Sequence, residues 1–182
     1  GGVCVDTSMG FTPLAGVPMG TRSGDIDYAA AEYIVRKGNM YVSQMLTYLN
    51  KQCGMLGVSG VSSDFRDLDT AKRDGNYRAE LALNMFSYAT KKYIGAYTAA
   101  LNGVDAIVFT AGVGENDAGV RCAALKNLDF FGIKLDEEKN TNCPRGCIAE
   151  IQAADSKVKI LVIPTNEELA IARETMRVAN LA

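Results

Sequence analysis

Asp105-Ala106-Ile107-Val108-Phe109-Thr110-Ala111-Gly112-Val113-Gly114-Glu115-Asn116 is the stretch on which the fold turns. Its first half is a continuous apolar run, the pattern of a buried strand in an α/β sheet. Its second half gives way to small residues and then polar ones. A helix is expected from about Asp117 to Leu125. Strand, glycine turn and helix start together describe the carboxyl edge of an α/β sheet, where ligands bind.

The pattern extends in both directions. Upstream, Leu83, Phe86, Ile94, Tyr97 and Leu101 recur at helical spacing, which predicts one long helix from Asn76 to Leu101 closed by Asn102-Gly103. Downstream, Phe130 to Leu135 fits a strand and Asp136 to Gly146 a polar loop. Ala149 to Ile151 and Lys157 to Ile163 fit strands. Pro164-Thr165-Asn166 then leads into a last helix, Glu167 to Val178, capped by Thr165 or Asn166.

At the other end, Val3 to Val5 reads as a short strand. Thr7 to Asp27 is a glycine- and proline-broken loop of a length that is often functional. Asp27 caps a helix from Tyr28 to about Lys37, Gly38-Asn39 interrupts it, and Met40 to Asn50 resumes. Gly54, Gly57 and Gly60 suggest a short strand or loop ending in the polar cluster Ser62 to Asp67. There is no repeat, low-complexity tract or clear linker, and the chain reads as one α/β domain.

Composition narrows the chemistry. Of 182 residues, 19 are Lys or Arg and 21 Asp or Glu, a net charge of −2, and there is no histidine. The absent histidine removes Ser-His-Asp and Cys-His nucleophile systems and HExxH zinc sites from this chain. Mild acidity argues against a nucleic-acid partner. No apolar run approaches the ~20 residues of a bilayer span, so no membrane association is expected. No basic-then-apolar leader is visible. The five scattered cysteines suggest reduced thiols and a cytoplasmic setting. Cys143 and Cys147 lack the second pair or histidine that a zinc site requires. The chain begins with Gly, inside what reads as a strand already under way, and is expected to be a fragment or a processed product.

Four segments could carry chemistry, each with two open readings. The Gly112–Asn116 turn either lets backbone approach a ligand beside a helix N-terminus or merely packs helix on strand. Asp64 and Arg66 straddle Phe65, either as a ligand-binding pair or as a solvated local ion pair. Arg22, in Met19-Gly20-Thr21-Arg22-Ser23-Gly24-Asp25, is either a clamp for a carboxylate or a phosphoryl group, or a surface residue in a turn. Glu167 and Glu168 either hold Mg²⁺ through water or simply complement the helix dipole. No GxxxxGK[ST] occurs, so the chain is no P-loop enzyme.

Taken in order, these motifs resemble the acetate kinase family. The matching segments are Asp6 to Leu14, Met19 to Asp27, Ser59 to Asp67, Phe109 to Asn116 and Ile163 to Glu168. The resemblance implies an actin-like, Hsp70-like and sugar-kinase-like ATPase fold (ribonuclease H-like), of which this chain would be the C-terminal, nucleotide-binding and dimerising half. It implies transfer of phosphate from ATP to acetate, giving ADP and acetyl phosphate, with Mg²⁺ or Mn²⁺. It makes Arg22 the catalytic arginine. Asp64, Phe65 and Arg66 would lie along the nucleotide, and Gly112, Val113, Gly114, Glu115 and Asn116 would form the adenosine pocket. Glu167 would position the metal. A homodimer through this domain is implied as well. Propionate kinase, or a non-catalytic nucleotide-binding or dimerisation module, are the alternatives. The family's N-terminal domain, catalytic histidine and phosphate-binding hairpin would precede Gly1, so this chain alone is expected to make no appreciable acetyl phosphate.

Overall fold

The computed structural model describes residues 2–179. The chain forms two compact units, Gly1–Gly103 and Val104–Ala182.

The first unit is helical. It contains α1 (Tyr28–Gly38), α2 (Val42–Lys51), α3 (Gly54–Ser59), α4 (Phe65–Arg73) and α5 (Tyr77–Ala100). Asp27 caps α1 as expected, and α5 starts on a side-chain cap as well. Asp27 accepts from the Ala29 amide at 2.6 Å, and Asn76 accepts from the amides of Arg78 and Ala79. At the far end of α5 the Gly103 amide reaches back to the Thr98 carbonyl, closing the helix as Asn102-Gly103 suggested. Met55, Leu68, Ala79, Ala82 and Leu83 form the core, with Phe65 and Phe86 packed on it edge to face at 4.8 Å between ring centroids. On the α5 face, Leu83 is buried whereas Leu101 is exposed.

Three expectations for this unit change. Val3 and Val5 are exposed and form no strand, because no described segment pairs with them. The Gly54–Gly60 segment is a helix. Its first amides, Met55 and Leu56, donate to the carbonyls of Met19 and Gly20 at 2.9 Å, so a distant loop caps it. Gly54 sits at φ +60°, and a Cβ there would collide with the carbonyl oxygens of Met19 and Arg22. The cluster after Ser62 opens a further helix, α4, on the Asp64 cap.

The second unit is α/β. It contains β1 (Ala106–Phe109), α6 (Ala111–Asn116), α7 (Ala118–Leu125), a 3-10 turn at Asp129–Phe131, α8 (Glu137–Thr141), β2 (Ala149–Glu150), β3 (Lys159–Val162) and α9 (Glu167–Val178). Among the described residues the sheet has the order β1-β3-β2, with β1 parallel and β2 antiparallel to β3. Register places Ile107 beside Ile160 and Phe109 beside Val162. That face is the inner one: Phe109, Ile160 and Val162 are buried with Ile133, Ile151 and Leu125.

Here too the structure corrects the sequence reading. β1 is an edge strand and shows the alternation of a half-covered sheet, with Val108 48% exposed, instead of being buried on both faces. Phe130 to Leu135 is no strand. Gly132, at φ +77°, turns the chain after the 3-10 segment, and Leu135 makes only a single bridge to Gln152. The supposed polar loop contains α8, capped by Asp136 accepting from the Lys139 amide. The Gly112–Asn116 stretch is itself helical, and α7 follows on its own cap, Asp117. Asn166, not Thr165, caps α9 by accepting from the Leu169 amide at 3.0 Å. No residue of α9 is buried, and Leu169, Ile171, Met176 and Val178 are exposed.

Candidate functional site

Arg22 lies on a loop that is irregular in sequence and fixed in space. Within the loop, the Met19 amide donates to the Arg22 carbonyl at 3.0 Å. Outside it, Ser23 donates to the Leu49 carbonyl, and Cys53 donates to Thr21. The Thr21 hydroxyl donates to the Asn50 carbonyl at 2.9 Å. The backbone around Arg22 is thereby tied to the end of α2 and the start of α3. Among the described residues its guanidinium makes one internal polar contact, Nη1 to Met19 Sδ at 3.5 Å, and so remains available to a ligand.

A polar cleft of about 350 Å³ opens at this loop, lined by Arg22, Thr21, Asn50, Lys51 and Ser63 among others. The Arg22 loop and the Ser62–Asp67 segment therefore meet. At Gly20 the approach is so close that a Cβ would lie 3.0 Å from the Ser63 carbonyl oxygen. Lys51 adds a second cation that motif reading missed. It is the last residue of α2, and nothing local marks it as part of a site.

In the Ser62–Asp67 segment, Asp64 accepts from the Arg66 amide at 2.9 Å and from its guanidinium Nε and Nη2 at 3.0 and 2.5 Å. Ser62 Oγ accepts from the Asp64 amide and donates to Asp67. Phe65 is turned inward onto Phe86, while the Arg66 side chain is 90% exposed. The guanidinium of Arg66, and next its backbone amide, hold the Asp64 carboxyl at about 2, below the ordinary 3.8. A depressed carboxyl contributes stability above its unfolded value that is lost as pH falls through the folded one. The α4 cap is thus expected to persist at about pH 4 and to fail as pH falls through about 2. An NMR titration of the Asp64 carboxyl checks this. Arg66→Ala should raise the midpoint, and a wild-type midpoint near the ordinary value would remove the pair.

Gly112–Asn116 and Glu167 belong to the second unit, where the structure knits their surroundings together. The Thr110 and Thr165 hydroxyls lie 2.6 Å apart, and Thr165 Oγ1 accepts from the Ala111 amide at 3.0 Å. Glu115 Oε1 accepts from the Thr165 amide at 2.8 Å. The β1–α6 turn and the β3–α9 turn, 50 residues apart in sequence, therefore form one surface. The two glycines differ. A Cβ at Gly114 would make ordinary contact with the Phe109 backbone at 3.4 Å. A Cβ at Gly112 would meet nothing within 4 Å, so that face is open. Asn116 Nδ2 donates to the Gly112 carbonyl at 2.8 Å. Ala111 stands at φ +58°, a left-handed conformation that a non-glycine residue adopts only under tertiary constraint.

Beneath α6 lies a residue that motif reading passed over. Arg121, on α7, is 2% exposed. Its Nη1 donates to the carbonyls of Gly114 and Glu115, both at 2.9 Å. Its Nε and Nη2 donate to Asn140 Oδ1 and to the Asn140 carbonyl, at 2.7 and 3.0 Å. Asn140 in turn donates to the Ala118 carbonyl at 2.8 Å. Among the described residues no carboxylate is bonded to Arg121, and burial pushes its pKa down.

Among the described residues there is no cluster of three or more His, Cys, Asp or Glu suited to a metal, and all five cysteines are free. Glu167 and Glu168 are exposed in the first turn of α9 and make no ion pair among those residues. No helix among them is long and apolar enough to cross a membrane.

Comparison with known proteins gives these features a context. The acetokinase family profile matches residues 1–173. An acetate kinase of Caldicellulosiruptor bescii is 59% identical over 176 residues, which is 97% of this chain and 44% of that protein. The crystal structure of Porphyromonas gingivalis acetate kinase superposes with a TM-score of 0.88 at 44% identity, covering 94% of this chain and 43% of the other. A propionate kinase from Francisella tularensis gives 0.85 at 40% identity, over 93% and 43%. The chain spans less than half the length of the relatives it matches. Within that span the likeness is continuous, and the fold is the α/β ATPase fold of those kinases. The chain belongs to the acetokinase family.

Proposed function

We propose that this chain is the nucleotide-binding and arginine-bearing part of an acetate kinase, which transfers the γ-phosphoryl group of ATP to acetate to give ADP and acetyl phosphate. The observation that carries the reading is the 59% identity to an acetate kinase over 97% of the chain. The identity to the structurally similar propionate kinase is lower, at 40%.

The residues suit the chemistry. Phosphoryl transfer depends on positioning and on positive charge around the equatorial oxygens more than on a covalent catalyst. Arg22 offers five donors on a backbone that does not have to reorganise. Acetate is ionised at pH 7, so its oxygen needs no general base. A divalent cation, Mg²⁺ or Mn²⁺, would neutralise phosphate charge when bound. Glu167 suits it, since such ions are commonly held by one or two carboxylates plus substrate phosphates. The open face at Gly112, with Asn116 beside it, would take the adenosine, and Asp64 and Arg66 would lie along the nucleotide. A homodimer formed through this domain and a cytoplasmic setting belong to the same reading, the latter supported by the free thiols.

Two measurements test it. The kinase carrying this sequence should form acetyl phosphate from ATP and acetate, with a higher kcat/KM for acetate than for propionate; one methylene can separate the two by about 10- to 200-fold. A preference for propionate would overturn the assignment. In calorimetric titration with ADP, Gly112→Val should weaken binding at least about tenfold, since its side chain would occupy the space left open there. Unchanged affinity would remove α6 from the pocket.

A further inference from the structure

The loop that carries Arg22 is closed at its neck by one carboxylate. The Asp25 amide donates to the Gly16 carbonyl at 2.9 Å. Asp25 Oδ1 accepts from the Gly16 amide at 2.8 Å. The neck is tight: Gly16 and Gly24 are buried at φ +98° and +70°, and a Cβ on Gly24 would meet the Gly16 carbonyl and the Pro18 ring. The second oxygen, Oδ2, accepts from the hydroxyl of Tyr93 at 2.5 Å. Tyr93 stands on the long helix α5, 68 residues away. Its ring rests against Tyr97, at 5.7 Å between centroids. Both Asp25 and Tyr93 line a cavity of about 730 Å³ that also receives Tyr48, Cys53, Met85 and Lys92.

We infer that Asp25 and Tyr93 are positioning residues for Arg22, clamping the neck of its loop to helix α5 so that the guanidinium is presented in one place. This rests on the reading of Arg22 as the phosphoryl-transfer arginine. The carboxylate is shared between two jobs: one oxygen fixes the loop's own closure, the other fixes the closed loop to the rigid body of the unit. Only Ser23 and Gly24 separate Asp25 from Arg22, too short a tether to absorb a shift at the neck. The hydrogen bond to the Asp25 carboxylate pushes the Tyr93 phenol up to about 12, so the phenol stays a donor well into the alkaline range. Misplacement of a catalytic group by about 1 Å can cost 10²-fold in rate, so partial loosening of the clamp should be visible in turnover.

The test uses Tyr93→Phe, which deletes only the hydroxyl, and Asp25→Ala, which opens the neck. In the kinase carrying this sequence, Tyr93→Phe is expected to lower kcat about tenfold, with KM for ATP within about twofold, at temperatures well below melting. Asp25→Ala is expected to lower kcat further, and the double variant should be no worse than Asp25→Ala. In the 182-residue chain, amide hydrogen exchange at Gly16 and Asp25 should be faster in Tyr93→Phe than in wild type. A lowered melting temperature with unchanged kcat would reduce the pair to a structural contact and overturn the proposal, as would unchanged exchange at the neck. Absence of acetyl phosphate formation by the wild-type kinase would instead overturn the reading of Arg22, and the exchange measurement would still decide whether the clamp exists.

Discussion

Arg22→Ala is expected to cut kcat for acetyl phosphate formation by about 10³-fold or more in the kinase that carries this sequence, the magnitude associated with arginines that stabilise phosphoryl transfer. Function and fold separate cleanly at this position. What the loop contributes to stability comes from its backbone, through the Met19, Thr21 and Ser23 hydrogen bonds, and those survive truncation of the side chain. The side chain itself gives up only the weak contact of Nη1 with Met19 Sδ. The melting temperature should therefore move little while turnover collapses. Arg22→Lys keeps the charge and loses the planar fork, so it should recover only part of the rate. Steady-state kinetics beside calorimetric melting make the comparison. A variant that retains a tenth or more of the wild-type kcat would take Arg22 out of the transfer step.

Arg121→Met should produce the largest loss of stability. The substitution keeps much of the volume and removes every donor. It strands the buried Asn140 Oδ1 and Asn140 carbonyl together with the half-buried carbonyls of Gly114 and Glu115. Each buried acceptor left unpaired costs about 1–3 kcal/mol, less than additively within one network, so a total of about 3–5 kcal/mol is expected. That is a large part of the stability of a small unit. The tyrosines supply a built-in control. All eight, Tyr28 to Tyr97, lie before Gly103. Tyrosine emission therefore follows the first unit only, while far-ultraviolet circular dichroism follows both. In urea, the dichroism transition should begin earlier in Arg121→Met. A shift smaller than about 1 kcal/mol would mean that the carbonyls find other partners. Asn140→Ala removes the two bonds made by the side-chain amide and should fall between wild type and Arg121→Met.

Most of the larger architecture was legible in the sequence because it is locally encoded. The Asp27 cap, the cap at Thr165 or Asn166, the long period of α5 and the strand-to-glycine transition at Phe109–Gly114 are signals contained within a few residues. What was hidden depends on distance. Helix α3 looks like a glycine-broken loop because its first amides are satisfied by Met19 and Gly20, more than thirty residues upstream. Helix α4 carries its apolar stripe on only Phe65, Leu68 and Ala71, among charges that read as a polar cluster. The exposure of Val108 follows from the uncovered face of the sheet on which it stands, which no local pattern reveals. The same holds for the site. Arg22, Asp64 and Asn116 were visible as motif members, but Lys51, Arg121 and Tyr93 sit within ordinary helices. Only tertiary structure brings them to the Arg22 cleft, to the underside of α6 and to the neck of the loop.

Gly54 carries that dependence into the genetic code. Every missense change one nucleotide away from a glycine codon adds at least a methyl group, and here that methyl would be driven into the carbonyl oxygens of Met19 and Arg22. Among single-nucleotide changes at that codon, only the synonymous ones leave the contact intact. The carbonyls of Met19 and Arg22, and not the guanidinium, forbid missense drift there.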